Sequence, residues 1–391
     1  MSRKISVGID IGSHNTRVAV IENVKEKNGF AVLGTGIAKS SGIRHGYVVN
    51  REEASRSIRE AVRAAEKSSG TKIKKALISI GGIGLESAVA SGSHIISRID
   101  GEVTQADVDR VIAASEENAH LVNKKVVHGF PLSFKLDGKE VLGHPESMRG
   151  MKLLEAKVLF IASLDQHLDS MVRAVEDAGI EVLDMVAAPF AASLVTLTKA
   201  QRTAGCVLAN IGAETVSIVV FENDKPISLQ IFPIGSTDIT NDIALGLRIS
   251  LEEAENIKKG VLTQKDVPQK KLDEIIEARL KDIFDLIEAH LKKINRNGLL
   301  PAGIILTGGG ANLHVTEELA KASLKLPARV TIPHILENQK GTTLDASWAV
   351  AYGLGILGFD DFYGSDLFQI NRVRAKTHLD SAISWVKQFL P

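Results

Sequence analysis

Residues 7–23 read VGIDIGSHNTRVAVIEN, and residues 207–223 read VLANIGAETVSIVVFEN. The two stretches align without a gap at an offset of 200, with Val7/Val207, Ile11/Ile211, Gly12/Gly212, Val20/Val220, Glu22/Glu222 and Asn23/Asn223 identical. Each alternates β-formers around a turn of small or polar residues, the pattern of two strands joined by a hairpin. Such a repeat points to duplication of one structural unit, the alternative being two unrelated hairpins built from common β-formers. A turn of small residues leaves successive backbone N–H groups free to converge on an oxyanion, and glycine lets the backbone come close. The pair therefore predicts a clamp on a polyphosphate. Gly12, Ser13, His14, Asn15 and Thr16 form one jaw, and Asn210, Gly212, Ala213, Glu214 and Thr215 the other. Asp10, just before the first turn, is placed to hold Mg²⁺ through water, which suits a small cation that keeps its hydration shell. His14 reads either as a phosphate donor or as a tolerated turn residue.

A third stretch, GIILTGGGAN over 303–312, is an apolar strand running into glycines before a helix. Gly308, Gly309, Gly310 and Ala311 would admit a phosphate or a flat nucleoside against backbone, the alternative being a tight turn. No Gly-Lys-Ser/Thr follows, so it is not a Walker loop, and the spacing is not that of a Rossmann fingerprint. Its weight comes from the order along the chain: hairpin, hairpin, triple glycine.

Working outward, Val32–Ile37 predicts a third strand, Glu52–Lys67 a helix, and Ala76–Ile80 a strand ending at Gly81-Gly82. From about residue 84 the pattern changes. His94–Ile99 predicts a strand. Thr104 with Asp107 caps a helix to about Asn118, Asp137-Gly138 marks a hairpin, and Glu155–Ala162 predicts a strand before a helix over Gln166–Ala178. Residues 238–298 read as mostly helical, with a long element near Lys271–Ile294 whose Leu272, Ile276, Ile283 and Ile287 form an apolar stripe. The uncharged stretches Met185–Thr198 and Ala346–Phe359 read as buried elements.

The chain has 391 residues, enough for two or three domains and sizeable cores. Lys plus Arg and Asp plus Glu are each 47, so the formal charge is zero, and aromatics are 4%. Neither favours nucleic-acid binding. A single cysteine, Cys206, excludes an intramolecular disulfide and fits a reducing cytosol. No stretch approaches the roughly 20 apolar residues of a membrane span, and no signal peptide is visible, so the expected location is cytoplasmic.

The order of the three glycine motifs resembles that of the actin-like ATPase superfamily, with its phosphate-one, phosphate-two and adenosine motifs. Within it, the chain resembles the bacterial cell-division FtsA family over nearly its whole length. SRIDGEVTQADVDRVI over 97–112 and the run from Val127 through FPLSFKLDG to MRGMKLLEAKV over 148–158 are similar to that family's inserted subdomain 1C. ISLEEAENIKKG over 249–260 is similar to its nucleoside-side helix, and by that match Glu255 and Lys258 would contact the ribose.

The resemblance implies an α/β fold of the duplicated, ribonuclease H-like actin type, two domains around a nucleotide cleft with a small α+β insert. The expected divisions are 1–83, 163–203 and 336–359 for the first core subdomain, 84–162 for the insert, 204–237 and 301–335 for the second core subdomain, and 238–300 for a helical subdomain. A linker over 360–378 and a terminal helix over 379–391 would follow.

The resemblance also implies ATP and Mg²⁺ as cofactors and self-assembly into filaments on an anionic inner-membrane surface. It further implies binding of the FtsZ C-terminal peptide by the helical subdomain, and other divisome partners, with no nucleic acid. The chain departs from the family pattern in three places. Asn210 stands where the second phosphate motif usually has Asp, Glu214 puts a carboxylate near phosphates, and Ala188 precedes Pro189 where many relatives carry an acid that positions the attacking water. Phosphoryl transfer needs a positioned nucleophile and neutralised charge, so the expectation is ATP binding with slow or negligible hydrolysis. Two rivals share the superfamily fold: a sugar or acetate kinase, and a non-filamentous peptide-binding scaffold of the PilM type.

At the C-terminus, LDSAISWVKQFL over 379–390 has helical apolar spacing, and Arg372, Arg374 and Lys376 lie upstream. Twelve residues span about 18 Å as a helix, too short to cross a bilayer. Ile383, Trp385, Val386, Phe389 and Leu390 would enter a membrane interface, the alternative being a helix docked on its own domain. The family's terminal membrane helix favours the first.

Overall fold

The computed structural model describes residues 4–24, 29–150, 152–261, 268–333 and 345–359. The first repeat folds as β1 (Ile5–Ile11) and β2 (Asn15–Val24), followed by β3 (Gly29–Lys39). A two-stranded hairpin, β4 (Ile43–Arg44) and β5 (Tyr47–Val48), leads into α1 (Arg51–Ser69) and β6 (Lys75–Ile80). Asn50 caps α1, its side chain accepting from the Glu53 amide, and Gly70 closes the helix in the left-handed region.

The insert comprises β7 (Glu86–Ile95), α2 (Gln105–Asn118), β8 (Lys124–Leu136), β9 (Lys139–Val141) and β10 (Leu153–Leu164). Then come α3 (Asp165–Asp177), β11 (Glu181–Ala187), α4 (Ala188–Thr196) and α5 (Lys199–Ala204). The second repeat forms β12 (Cys206–Ile211) and β13 (Val216–Glu222), continued by β14 (Lys225–Phe232). The rest is α6 (Ser236–Leu247), α7 (Leu251–Lys258), α8 (Gln269–Lys293), β15 (Ile304–Thr307), α9 (Thr316–Leu324), β16 (Ala328–Val330) and α10 (Ala349–Leu357).

The repeat seen in the sequence is a repeat of register. Ile11 pairs Thr16, Ile9 pairs Val18 and Val7 pairs Val20; 200 residues later Ile211 pairs Val216, Ala209 pairs Ile218 and Val207 pairs Val220. The sheets repeat too. One runs β11-β6-β1-β2-β3 and the other β16-β15-β12-β13-β14, with β6 and β15 parallel to the first strand of each hairpin.

Apolar residues on both faces of the second hairpin explain the layers. Cys206, Leu208, Val219 and Phe221 join the core that holds α4 and α10, whereas Val207, Ala209, Ile218 and Val220 face the core of α6 to α9. α10 packs on β1, β2, β6 and α4, and α4 packs in turn on β12 and β13. The helix pair therefore lies between the two sheets.

The insert has a separate core formed by α2 and one face of its sheet, while Val127, Phe130, Leu159 and Ile161 join the main core. Its first strand runs over 86–95 rather than the expected 94–99. The strand is rich in Ala, Ser and Gly because α2 lies close above it: a Cβ on Gly92 would stand 2.7 Å from the Ala114 carbonyl carbon. Small residues hide the β-signal there. The capping box at Thr104 and Asp107 is present, with the Thr104 amide donating to the Asp107 carboxylate at 3.0 Å. The linker over 360–378 and the terminal helix over 379–391 lie outside the described residues.

Candidate functional site

Both repeat turns open onto one cleft of about 890 Å³ between the two sheets. On the first jaw the Gly12 amide donates to the Asn15 carbonyl at 3.2 Å; on the second the Gly212 amide donates to Thr215 at 2.9 Å. These are the same turn built twice. The amides of Ser236 and Thr237, at the start of α6, donate to the Gly212 and Ala213 carbonyls at 2.9 and 2.8 Å. The positive end of that helix is thereby seated on the second turn.

Asp10 accepts a hydrogen bond from the Ser79 hydroxyl at 2.9 Å, and Ser79 in turn accepts from the Ile11 amide at 3.0 Å. Burial raises the Asp10 carboxyl above its ordinary range, against the pull of Arg17 and Ser79. Arg17 is the cross-strand neighbour of Asp10, and its guanidinium stands 5.8 Å from the centre of the Trp348 ring. Asp10 and Asp345 both act on it, burial lowers its pKa, and its buried Nε has no hydrogen-bond partner.

The triple-glycine loop forms a 3₁₀ turn, Gly309–Asn312, after β15. Gly308 has φ 91°, and a Cβ there would stand 3.0 Å from the Ile211 carbonyl carbon. Only glycine permits that approach to the second jaw. The Gly308 amide and the Thr307 hydroxyl donate to the Ala346 carbonyl at 3.2 and 3.0 Å. Asp345 accepts from Asn312 at 2.9 Å and from the Ser347 hydroxyl at 2.9 Å. These bonds join the entry to α10 to the second lobe.

On the nucleoside side, Lys258 Nζ reaches Glu255 Oε2 at 2.6 Å, the Thr240 hydroxyl at 2.7 Å and the Ser236 carbonyl at 2.9 Å. Lys259 reaches the other Glu255 oxygen at 3.0 Å. Burial opposes ionisation of Glu255, but the bonds from Lys258 and Thr240 outweigh it and hold the carboxyl at about 2. Burial lowers Lys258 as well as His14, which feels Glu255, Lys259 and Lys258 from the first jaw. Glu255 and Lys258 line the cleft, but their charged ends are engaged with each other and with α6.

The cleft brings together Asp10, Gly12, Ser13, His14, Asn15, Asn210, Gly212, Ala213, Glu214, Thr215, Glu255, Lys258, Gly308, Gly309 and Gly310. Thr16 and Ala311 are not on its wall. Thr16 is fully buried with its hydroxyl 3.0 Å from that of Ser40, and Ala311 belongs to the second core. Glu214, on the cleft wall, reaches the β4–β5 tip, where its carboxylate accepts from the His45 amide at 2.6 Å. Ile383, Trp385, Val386, Phe389 and Leu390 lie outside the described residues.

Sequence reasoning missed Arg17, Gly46, Ser79, Gly81, Gly82, Asp345 and Trp348, all of which line the cleft. Two of these signals were available. Counting back from the turn pairs Arg17 with Asp10, and the duplication makes Gly81-Gly82, after β6, the counterpart of the glycines after β15.

Two sheets of matching strand order, with a cleft between their hairpin turns, define an actin-like fold. Solved structures agree. A PilM–PilN type IV pilus biogenesis complex is similar at TM-score 0.68 and 18% identity, covering 91% of this chain and 99% of that one. MreB5 of Spiroplasma citri bound to ADP is similar at TM-score 0.53 and 11% identity, covering 92% and 96%.

The family is narrower than the fold. The family model described as cell division protein FtsA matches residues 207–353, and the one described as the SHS2 domain inserted in FtsA matches 83–162. FtsA of Bacillus subtilis is 30% identical, covering 86% of this chain and 80% of the relative; FtsA of Pseudomonas aeruginosa is 29% identical, covering 91% and 90%. The chain belongs to the FtsA family of cell-division proteins.

Proposed function

We propose that this chain binds Mg²⁺-ATP in the cleft, assembles into filaments at the inner membrane and tethers FtsZ through its C-terminal peptide. The observation that carries the nucleotide reading is the pair of turns with the same hydrogen bond opening onto one cleft. The close-packed turns, the positive end of α6 and Arg17, whose buried Nε has no hydrogen-bond partner, would supply positive potential for a polyphosphate. Asp10 would hold Mg²⁺ through water, and Gly308, Gly309 and Gly310 would lie against the base. Glu255 and Lys258 would meet the ribose by exchanging bonds they now make with each other.

Hydrolysis is slow or negligible in this reading. Asn210 brings no formal charge to the metal, and Ala188, which lines the cleft, cannot position a water. ATP then acts as a conformational ligand whose differential affinity for closed and open lobes biases assembly. Titration calorimetry tests the reading: Mg²⁺-ATP binds the full chain, and Arg17→Met weakens it by about 100-fold, in the range of a lost charged hydrogen-bond partner. Rapid Mg²⁺-dependent phosphate release, or equal affinity of Arg17→Met, contradicts it.

A further inference from the structure

The tip of the β4–β5 hairpin touches both jaws at once. His45 and Gly46 adopt successive left-handed conformations, φ 48° and 80°. The Gly46 amide donates to the Ser13 hydroxyl of the first jaw at 3.1 Å. The His45 amide donates to Glu214 Oε2 of the second jaw at 2.6 Å, and the Arg44 guanidinium stands 3.4 Å from Oε1. A second bond joins His45 Nδ1 and the Glu214 carbonyl at 3.2 Å. Behind the tip the Gly81-Gly82 turn packs so closely that a Cβ on Gly46 would stand 2.6 Å from the Gly82 nitrogen. The tip is therefore part of the first lobe, and Glu214 reaches it from the second.

We propose that Glu214 is a cross-cleft latch, an internal anion that holds the second jaw to the 44–46 tip and biases the cleft closed before any nucleotide enters. The Glu214 side chain is 12% exposed, so water and salt screen it weakly. A charge-assisted bond to a backbone amide is among the stronger kinds, and removing it strands that amide. The latch also accounts for a carboxylate in this turn: its charge is engaged by the His45 amide and by Arg44. This inference rests on the contact between the lobes and not on the nucleotide reading, so its test uses nucleotide-free protein.

Spin labels at Arg56→Cys in α1 and Leu245→Cys in α6, both exposed, report the separation of the lobes in the full chain. The native Cys206 is buried and stays unlabelled. Glu214→Gln and Glu214→Ala should raise the ratio of open to closed distances about tenfold, and the His45 amide should exchange hydrogen at least tenfold faster. Arg44→Ala, at a side chain 70% exposed, leaves folding intact and should produce a smaller shift in the same direction. Unchanged distances and unchanged His45 exchange in Glu214→Ala overturn the latch. Should Glu214→Ala fail to fold, an unchanged distance distribution in Arg44→Ala overturns it.

Discussion

At the scale of single residues, the cleft is organised by charges that answer one another. Glu255 is the clearest case. Its folded carboxyl, at about 2, lies below the ordinary 4.5, so its ionisation stabilises the fold. The stabilisation is fully present above pH 4.5 and is lost as pH falls through 2. With the side chain 26% exposed, the contribution at neutral pH is on the order of 2 kcal/mol. Glu255→Gln should therefore melt several degrees below the parent at pH 7, and the gap should narrow as the buffer is taken to pH 3. A gap independent of pH shows that the Lys258 and Thr240 bonds do not hold the carboxylate ionised. These partners were not legible in the sequence. Spacing places Glu255 and Lys258 on one helix face, but only the fold brings Thr240 and the Ser236 carbonyl from α6 to the same lysine.

At the scale of elements, the sequence was legible where local chemistry sets the structure. The Thr104–Asp107 capping box, the left-handed Asp137-Gly138 turn and the apolar stripe of α8 are self-contained signals, and each element stands where its signal put it. The repeat was legible for the same reason, since a hairpin's register follows from its turn. Strand β7 was misplaced because its composition answers to α2 above it, which local pattern cannot carry. Gly8 is a similar case with a sharper consequence. A Cβ there would stand 2.6 Å from Leu354 Cβ and 2.7 Å from the Gly355 nitrogen, so β1 and α10 meet almost backbone to backbone. Gly8→Val should cost on the order of 3 kcal/mol through overpacking, read as a lower denaturant midpoint with unchanged m. A midpoint equal to the parent's shows that this packing is loose.

At the scale of the whole molecule, the lobes share a core instead of meeting at a linker. The α4–α10 layer contributes to both sheets, and the Ala346 carbonyl ties the entry of α10 to the triple-glycine loop. Motion of one lobe against the other must therefore pivot on this layer, which makes the cleft a lever for assembly in the proposed function. The membrane attachment proposed above is assigned to the C-terminal stretch. No helix among the described residues is long and apolar enough to cross one. The chain's formal charge is zero, so no net charge draws it toward an anionic surface. That proposal rests on the 379–390 sequence, with its Trp385 and Phe389, and on the bases at 372, 374 and 376. Amphipathic segments in general bind an interface through apolar insertion helped by local positive charge. A chain ending at residue 378 should sediment with phosphatidylglycerol vesicles at least about tenfold less than the full chain, while its ATP affinity is unchanged. Equal sedimentation of the two chains removes the 379–390 stretch from the proposed membrane contact.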